Sequence, residues 1–341
     1  DSAKRVAAIW TELLGKPVHS VDESFFDLGG HSLTASQVIA RIRRQTEREI
    51  PLRRFFETPT VRGLAEALEA DPMETLEPAP ALSPVSREQS LPLSFGQQRL
   101  WFIHKLQGSS AEYHMVGAHR IRGNLDFLVL ERALQALVDR HESLRTRFLE
   151  ENGEPLQVVD SPVDVVLETE SLHPVSGNME ERIHEFATRP FDLSEAPLIR
   201  FKLLRISEAE ALLVRSVHHI VADAWSVGVL HHELFELYRA FRNGRKPDLK
   251  DLPVQYPDFT VWQRRLLQGP RLKQHLDFWT GQLEGFQDLS LPIDRPRPEK
   301  PAHAGAREEL RIEGQVVRRL QEFCGSLQTT PFVTLLSAYQ V

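Results

Sequence analysis

Leu212-Leu213-Val214-Arg215-Ser216-Val217-His218-His219-Ile220-Val221-Ala222-Asp223-Ala224-Trp225-Ser226 decides how most of this chain is built. An apolar run ends in a polar loop, and the loop feeds a helix that carries Leu230, Leu234, Leu237, Tyr238 and Phe241. Neighbouring side chains on a strand point to opposite faces, so His218 and His219 cannot share one task. One can face a cavity while the other is held in the structure. Asp223, just past the strand end, is placed to pair with a cation or an N–H group, and it also suits the cap of the following helix. A metal set drawn from His218, His219, His231 and His232 is disfavoured, because adjacent residues diverge on a strand and lie about 100° apart on a helix. On the residues alone, a pair of buried and satisfied histidines is the ordinary alternative.

Outward from this stretch, helix patterns cover residues 127–141 and 226–241, and strand-like runs cover 156–168, 198–206 and 211–219. From residue 91 onward the pattern is therefore α/β or α+β. Before it, residues 71–90 lose all periodicity and gather Pro72, Pro78, Pro80 and Pro84 among Glu, Ala and Ser, as a linker does. A free coil of that length spans roughly 25 Å between its ends. Tethering at such a distance gives effective concentrations on the millimolar scale.

The first seventy residues read as a small helical bundle. Val6, Ile9, Trp10 and Leu13 mark one helix; Ala35, Val38, Ile39 and Ile42 mark a second; Val61, Leu64, Ala65 and Leu68 mark a third, with Thr58-Pro59-Thr60 as its start signal. Gly29-Gly30-His31-Ser32 brings a serine to the first turn of the second helix. Unpaired N–H groups and the helix dipole favour a phosphate there. A plain N-cap is the competing role for Ser32, although Ala35 stands where a capping box needs Glu or Gln.

The 341 residues, 41% hydrophobic and 26% charged, suffice for two or three domains. A net charge of -7 without a basic patch argues against nucleic acid as a partner. The one cysteine, Cys324, excludes an intramolecular disulfide and fits a reducing compartment. No apolar leader opens the chain and no run of 18 apolar residues occurs, so a cytoplasmic protein that does not enter a membrane is expected.

Two resemblances bring these pieces together. Asp22-Glu23-Ser24-Phe25-Phe26-Asp27-Leu28-Gly29-Gly30-His31-Ser32-Leu33 closely resembles the attachment motif of peptidyl carrier proteins in nonribosomal peptide synthetases. The resemblance implies that Ser32 is esterified with 4'-phosphopantetheine by a phosphopantetheinyl transferase. His218 to Ser226 is similar to the HHxxxDGxS signature of condensation domains from the same synthetases. Three further segments agree in order: Ser94 to Trp101, Arg140 to Phe148 and Tyr256 to Trp262 look like the first, second and fourth core motifs. The family's glycine after the aspartate is Ala224 here. Alanine disfavours positive φ, so a loop that needs left-handed backbone at this point would be altered.

The resemblance implies a carrier domain at 1–70, a linker at 71–90 and a condensation domain from 91 to 341. The last would be a chloramphenicol acetyltransferase-like α/β (α+β) fold, its N-terminal lobe at about 91–270. The start of the C-terminal lobe would follow at 271–341. Because the sequence stops at Val341 inside the apolar run Phe332 to Tyr339, that second lobe is expected to be incomplete. Function follows by the same resemblance: the carrier presents a donor acyl or peptidyl thioester in cis, and the domain joins it to the amine on a downstream aminoacyl-carrier protein. An adenylation domain would be a neighbour in the synthetase. His219 is the implied catalytic residue, with His218 and Asp223 beside it and Arg145, Arg99, Ala224 and Trp225 in support. A salt bridge from Asp223 to an arginine is expected, with Arg145 as the candidate. The Gly-Gly-His-Ser ending favours an L-donor condensation type. An epimerisation domain, or a condensation-like module that recruits another protein without chemistry, are the alternatives.

Overall fold

The computed structural model describes residues 2–30, 32–46, 48, 50–70, 79–172, 178–290, 292–296, 308–327 and 329–340, and for Ser32 and Leu33 the backbone alone. Contacts divide the chain into two compact units, Asp1–Glu77 with Ala304–Val341, and Pro78–His303.

The N-terminal bundle is built from α1 (Ser2–Leu14), α2 (Ser32–Thr46), α3 (Leu52–Glu57) and α4 (Val61–Glu69). The expected apolar stripes meet at its centre, where Val6, Trp10, Val38, Ile42 and Leu64 are buried around Phe25 and Phe55. Trp10 and Phe25 pack edge to face with ring centroids 4.8 Å apart, the geometry aromatic quadrupoles prefer. Thr60 caps α4 by accepting the Gly63 N–H at 3.0 Å. The short α3 is a helix that the sequence pattern does not announce.

The second unit runs β1 (Leu91–Pro92), α5 (Phe95–Gln107), β2 (His114–Arg122), α6 (Phe127–Arg140), a 3₁₀ turn at Glu142–Arg145, β3 (Thr146–Glu151), β4 (Glu154–Val159) and β5 (Leu167–Ser171). It continues through α7 (Met179–Thr188), β6 (Ile199–Ser207), β7 (Glu210–His218), α8 (Ala224–Arg242), α9 (Tyr256–Leu266) and α10 (Gly269–Gln282). Four strands form a sheet in the order β2-β7-β6-β5, antiparallel except for the parallel pair β5 and β6 that α7 connects. Leucines of α6 and α8, including Leu134, Leu137, Leu230 and Leu234, share one core with Leu203, Leu213 and Val217 of the sheet. A smaller cluster joins Phe186 of α7 to Leu204, Leu212 and Val214. Alternate residues of β7 thus enter different cores, as the period of two requires. A separate ribbon pairs β1, β4 and β3.

The run at 156–168 is not one strand: β4 and β5 belong to different sheets. α11 (Gln315–Ser326) and α12 (Pro331–Gln340) lie in the last part of the chain, and neither α10 nor α12 buries a residue. No helix among the described residues is long and apolar enough to cross a membrane.

The linker departs from a free coil in its second half. Residues 71–78 lie outside the described residues, but from Pro80 onward the chain is strapped to its own unit. Asp258 Oδ1 accepts the Val85 N–H at 2.8 Å and pairs with Arg87 Nη1 at 2.7 Å, while Trp262 Nε1 donates to Pro80 O at 2.6 Å. Proline removes backbone donors and stiffens the segment, and buried Asp258 takes the Val85 N–H and the Arg87 guanidinium from it.

Candidate functional site

β7 delivers His218 and releases the chain one residue later, so His219 stands just past the strand end rather than on it. Its N–H donates to Tyr113 O at 2.8 Å, which holds the backbone at the edge of β2. The two rings then separate. His218 is buried at 3% exposure and its Nδ1 accepts the Ile220 N–H at 3.1 Å, so its proton is on Nε2. Burial, aided by the neighbouring His114, His104 and His219, pushes its pKa down to about 3, and the ring is neutral at ordinary pH. His219 is exposed.

Asp223 organises the loop that follows. Its Oδ1 accepts the Ser226 N–H at 2.7 Å and the Ser226 hydroxyl at 2.6 Å, and Ser226 Oγ in turn accepts the Asp223 N–H at 3.3 Å. This reciprocal cap starts α8. Burial raises the Asp223 pKa, but the two Ser226 donors and the attraction of His219 outweigh it and hold the carboxyl below its usual range. Ala224 is the first residue of α8, and among described non-glycine residues only Asn152 has positive φ. The family glycine's left-handed freedom is therefore not used at this position. Trp225 is 51% exposed beside it.

Arg145 is not the partner of Asp223. Its Nη1 donates to Asp160 O and its Nη2 faces Glu142 Oε1 at 3.9 Å, because the 3₁₀ turn aims it along β3 and β4. The expected salt bridge is replaced by the Asp223–Ser226 cap. Arg99 lies exposed on α5.

The other motif segments buttress this loop. Gln97, buried in α5, donates from Nε2 to Ile220 O at 3.4 Å and forms the capping box with Ser94. Ser94 Oγ lies 3.0 Å from Tyr256 OH, and Arg264 spans from Leu93 O to Gln98 Oε1. Glu233 of α8, buried at 6%, is a residue the sequence reading misses: Arg140 Nε meets its Oε2 at 2.9 Å and His141 Nε2 at 2.6 Å. Its signal is an acid on the apolar face of α8, which needs a cationic partner when buried.

In the bundle, α2 begins at Ser32, whose side chain, like all of His31, lies outside the described residues. The turn before it is bolted to the core. Gly29 has φ +97°, which disfavours a side chain there, and a Cβ on Gly30 would lie 2.2 Å from Phe25 Cε1, so Gly30 is needed for that close approach. Lys16 Nζ donates to Leu28 O at 3.0 Å, and α2 has no acid in its first turn. A helix start with a cation nearby and no acid fits a phosphodiester.

Residues 87–341 match the condensation-domain family and residues 4–68 match the phosphopantetheine attachment site. The chain is 41% identical over 342 residues to a linear gramicidin synthase protein of Brevibacillus parabrevis, covering 98% of this chain and 7% of that protein. It is 33% identical over 342 residues to bacitracin synthase 3 of Bacillus licheniformis, covering 100% of this chain and 5% of that protein. Each of these relatives is thus many times longer than this chain. Among solved structures it is similar to the X-domain in its complex with OxyB from teicoplanin biosynthesis, at 32% identity and a TM-score of 0.67, over 75% of this chain and 57% of that one. The first condensation domain of the CDA synthetase shares the fold at 24% identity and a TM-score of 0.53, over 58% of this chain and 51% of that one.

Proposed function

Because this chain belongs to the condensation-domain family, with a phosphopantetheine attachment domain ahead of that fold, we propose that it forms an amide between a donor acyl or peptidyl group presented at Ser32 and the amine of a downstream aminoacyl-carrier protein. Phosphopantetheine on Ser32 supplies a thiol that holds the donor as an activated thioester. A phosphopantetheinyl transferase installs it, an adenylation domain selects the acceptor, and the work is cytoplasmic.

The observation that carries this proposal is the division between the two histidines. His218 is a neutral, buried strut, while His219 is exposed and anchored through its own backbone N–H. An α-amino group has an ordinary pKa of about 7.7 to 8.0, so a useful fraction is already neutral near pH 7. The protein's main task is then to position two reactants, worth about 7–11 kcal/mol in favourable cases, beyond the roughly 10²- to 10⁴-fold of acid-base help. His219 hydrogen-bonds the incoming amine and accepts the proton shed after attack; the amide C–N bond replaces the donor's C–S bond, and the proton passes to the thiol that leaves. Asp223 acts on His219 through the loop it caps.

Similarity to an X-domain solved with a partner protein supports a second role, recruitment without chemistry. One experiment separates the two. The protein is loaded with coenzyme A and a phosphopantetheinyl transferase, its mass is followed at Ser32, and a loaded donor is then offered to a separate aminoacyl carrier. Dipeptide formation that His219→Ala abolishes supports catalysis. A bare Ser32 overturns the carrier assignment, and a loaded but inert protein favours recruitment.

A further inference from the structure

The peptide units around His219 are pinned one by one. The His219 N–H goes to Tyr113 O at 2.8 Å, just ahead of β2, and the Ile220 N–H goes to His218 Nδ1 at 3.1 Å. The next carbonyl, Ile220 O, is met by Gln97 Nε2 of α5 at 3.4 Å. Ile220 is buried, and among the described residues Gln97 is the one donor that reaches this carbonyl. The two residues stand 123 positions apart, so the contact ties the loop to an element outside the β7–α8 segment.

Gln97 does more than start its helix. In the capping box its Oε1 accepts the Ser94 N–H at 2.9 Å, while its own N–H donates to Ser94 Oγ at 3.1 Å. Glutamate serves such a box as well as glutamine does, so the box alone leaves the residue type open. The far end of the amide decides it. With Oε1 facing an N–H and Nε2 facing a carbonyl, only one orientation of the carboxamide satisfies both ends. A carboxylate here would keep its bond to Ser94 and turn a lone pair towards Ile220 O. Gln97 is itself immobilised: it is 3% exposed, and Ser94 Oγ lies 3.0 Å from Tyr256 OH of α9. A buried acceptor that loses its only donor carries the full cost of desolvation, so the loop has reason to keep this bond.

We infer, on the catalytic role proposed for His219, that Gln97 is a positioning residue: its carboxamide, clamped by Ser94, holds the Ile220 carbonyl and so fixes the loop that carries His219. Gln97 touches no reactant. It acts through the backbone next to the histidine.

The test uses the full chain in three variants. Gln97→Met keeps size and burial but removes the donor, and kcat for amide formation should fall about ten- to a hundredfold with the KM for the acceptor carrier within about twofold. Ser94→Ala damages the same capping box but leaves Nε2 on Ile220 O, so it should lower the melting temperature while kcat stays within about threefold. Gln97→Glu supplies a readout that helix capping would not move. Burial favours its protonated form, and a protonated carboxyl donates where a carboxylate cannot, so its rate relative to wild type should climb as pH falls from about 8 to about 6. The titratable groups on the elements packed here, His218 and His219 on the loop and Tyr256, Asp258 and Arg264 on α9, are common to both proteins. Amide hydrogen exchange at Ile220 and Val221 reads the lock without the reaction, and should quicken about tenfold or more in Gln97→Met but not in Ser94→Ala. A wild type that forms no amide would overturn the function proposed above, and exchange would then decide the lock by itself. Unchanged exchange in Gln97→Met, a kcat no lower than that of Ser94→Ala, or a Gln97→Glu rate ratio that ignores pH would each overturn the inference.

Discussion

Arg87 Nη1 sits 2.7 Å from Asp258 Oδ1, joining the end of the proline-rich segment to the first turn of α9. The Asp258 side chain is 1% exposed and also accepts the Val85 and Gln255 N–H groups. Asp258→Ala leaves these donors and the guanidinium unpaired, and truncating one partner of a buried ion pair costs about 3–5 kcal/mol. The expected outcome is a lower melting temperature and rapid tryptic cleavage at Arg87 in the variant, against slow cleavage in the wild type. Equal cleavage in both would mean that the strap does not protect this segment.

Acid should loosen the same strap. Burial raises the Asp258 pKa, but Arg87, Gln255 and Val85 outweigh it and hold the value below the ordinary 3.8. A carboxyl depressed in the folded state stabilises it fully above the unfolded value, and that stabilisation is lost as pH falls through the folded one. Pepsin cleavage within residues 79–90 should therefore rise steeply below about pH 4, and Asp258→Asn should flatten that rise.

The paired histidines should respond in opposite ways. His219→Ala should leave the melting temperature within a degree or two, because an exposed ring contributes little packing, yet reduce amide formation by about 10²-fold or more. His218→Ala should do the reverse first, lowering stability by about 1–3 kcal/mol because the buried Ile220 N–H loses its acceptor. Calorimetry beside a dipeptide assay measures both. A catalytically normal His219→Ala would remove it from the reaction.

What is legible in the sequence is what repeats along it. Leucines at helical spacing place α6 and α8, and the apolar run through Leu212, Leu213 and Val214 places β7, at whose end adjacent side chains diverge and divide the two histidines. Relations between distant residues are not legible. Val85 and Asp258 are 173 positions apart, and no local pattern says that a proline-rich segment will find a buried acid. Arg145 looks free to reach Asp223 because the sequence does not reveal that a 3₁₀ turn aims it at Asp160 O. The six-residue α3 is too short for its periodicity to register.

His218 also sets a pH slope. Its pKa is near 3 in the folded state against an ordinary 6.5, so the unfolded chain takes up a proton that the folded ring refuses. Stability from this group is complete above about pH 6.5 and falls as pH drops towards 3, by up to about 1.4 kcal/mol per pH unit. His218→Asn keeps an acceptor for the Ile220 N–H and removes the titration. Denaturant midpoints between pH 4 and 7 should fall less steeply in that variant, and parallel curves would count against a neutral buried ring.

Ala224 permits a sharper test than its departure from the family motif suggests. It is the first residue of α8 with ordinary helical φ, directly after the Asp223–Ser226 cap, so nothing in the backbone calls for glycine. Ala224→Gly should cost at most about 1 kcal/mol through backbone entropy and leave the rate of amide formation within about twofold, a free-energy change under about 0.5 kcal/mol. Asp223→Ala, by contrast, removes the cap for about 1 kcal/mol and frees the loop that carries His219, so activity should fall much further than stability. If Ala224→Gly instead raised the rate tenfold, the missing glycine would matter through close approach of the substrate to the helix start, and the cap would not be the feature that positions His219.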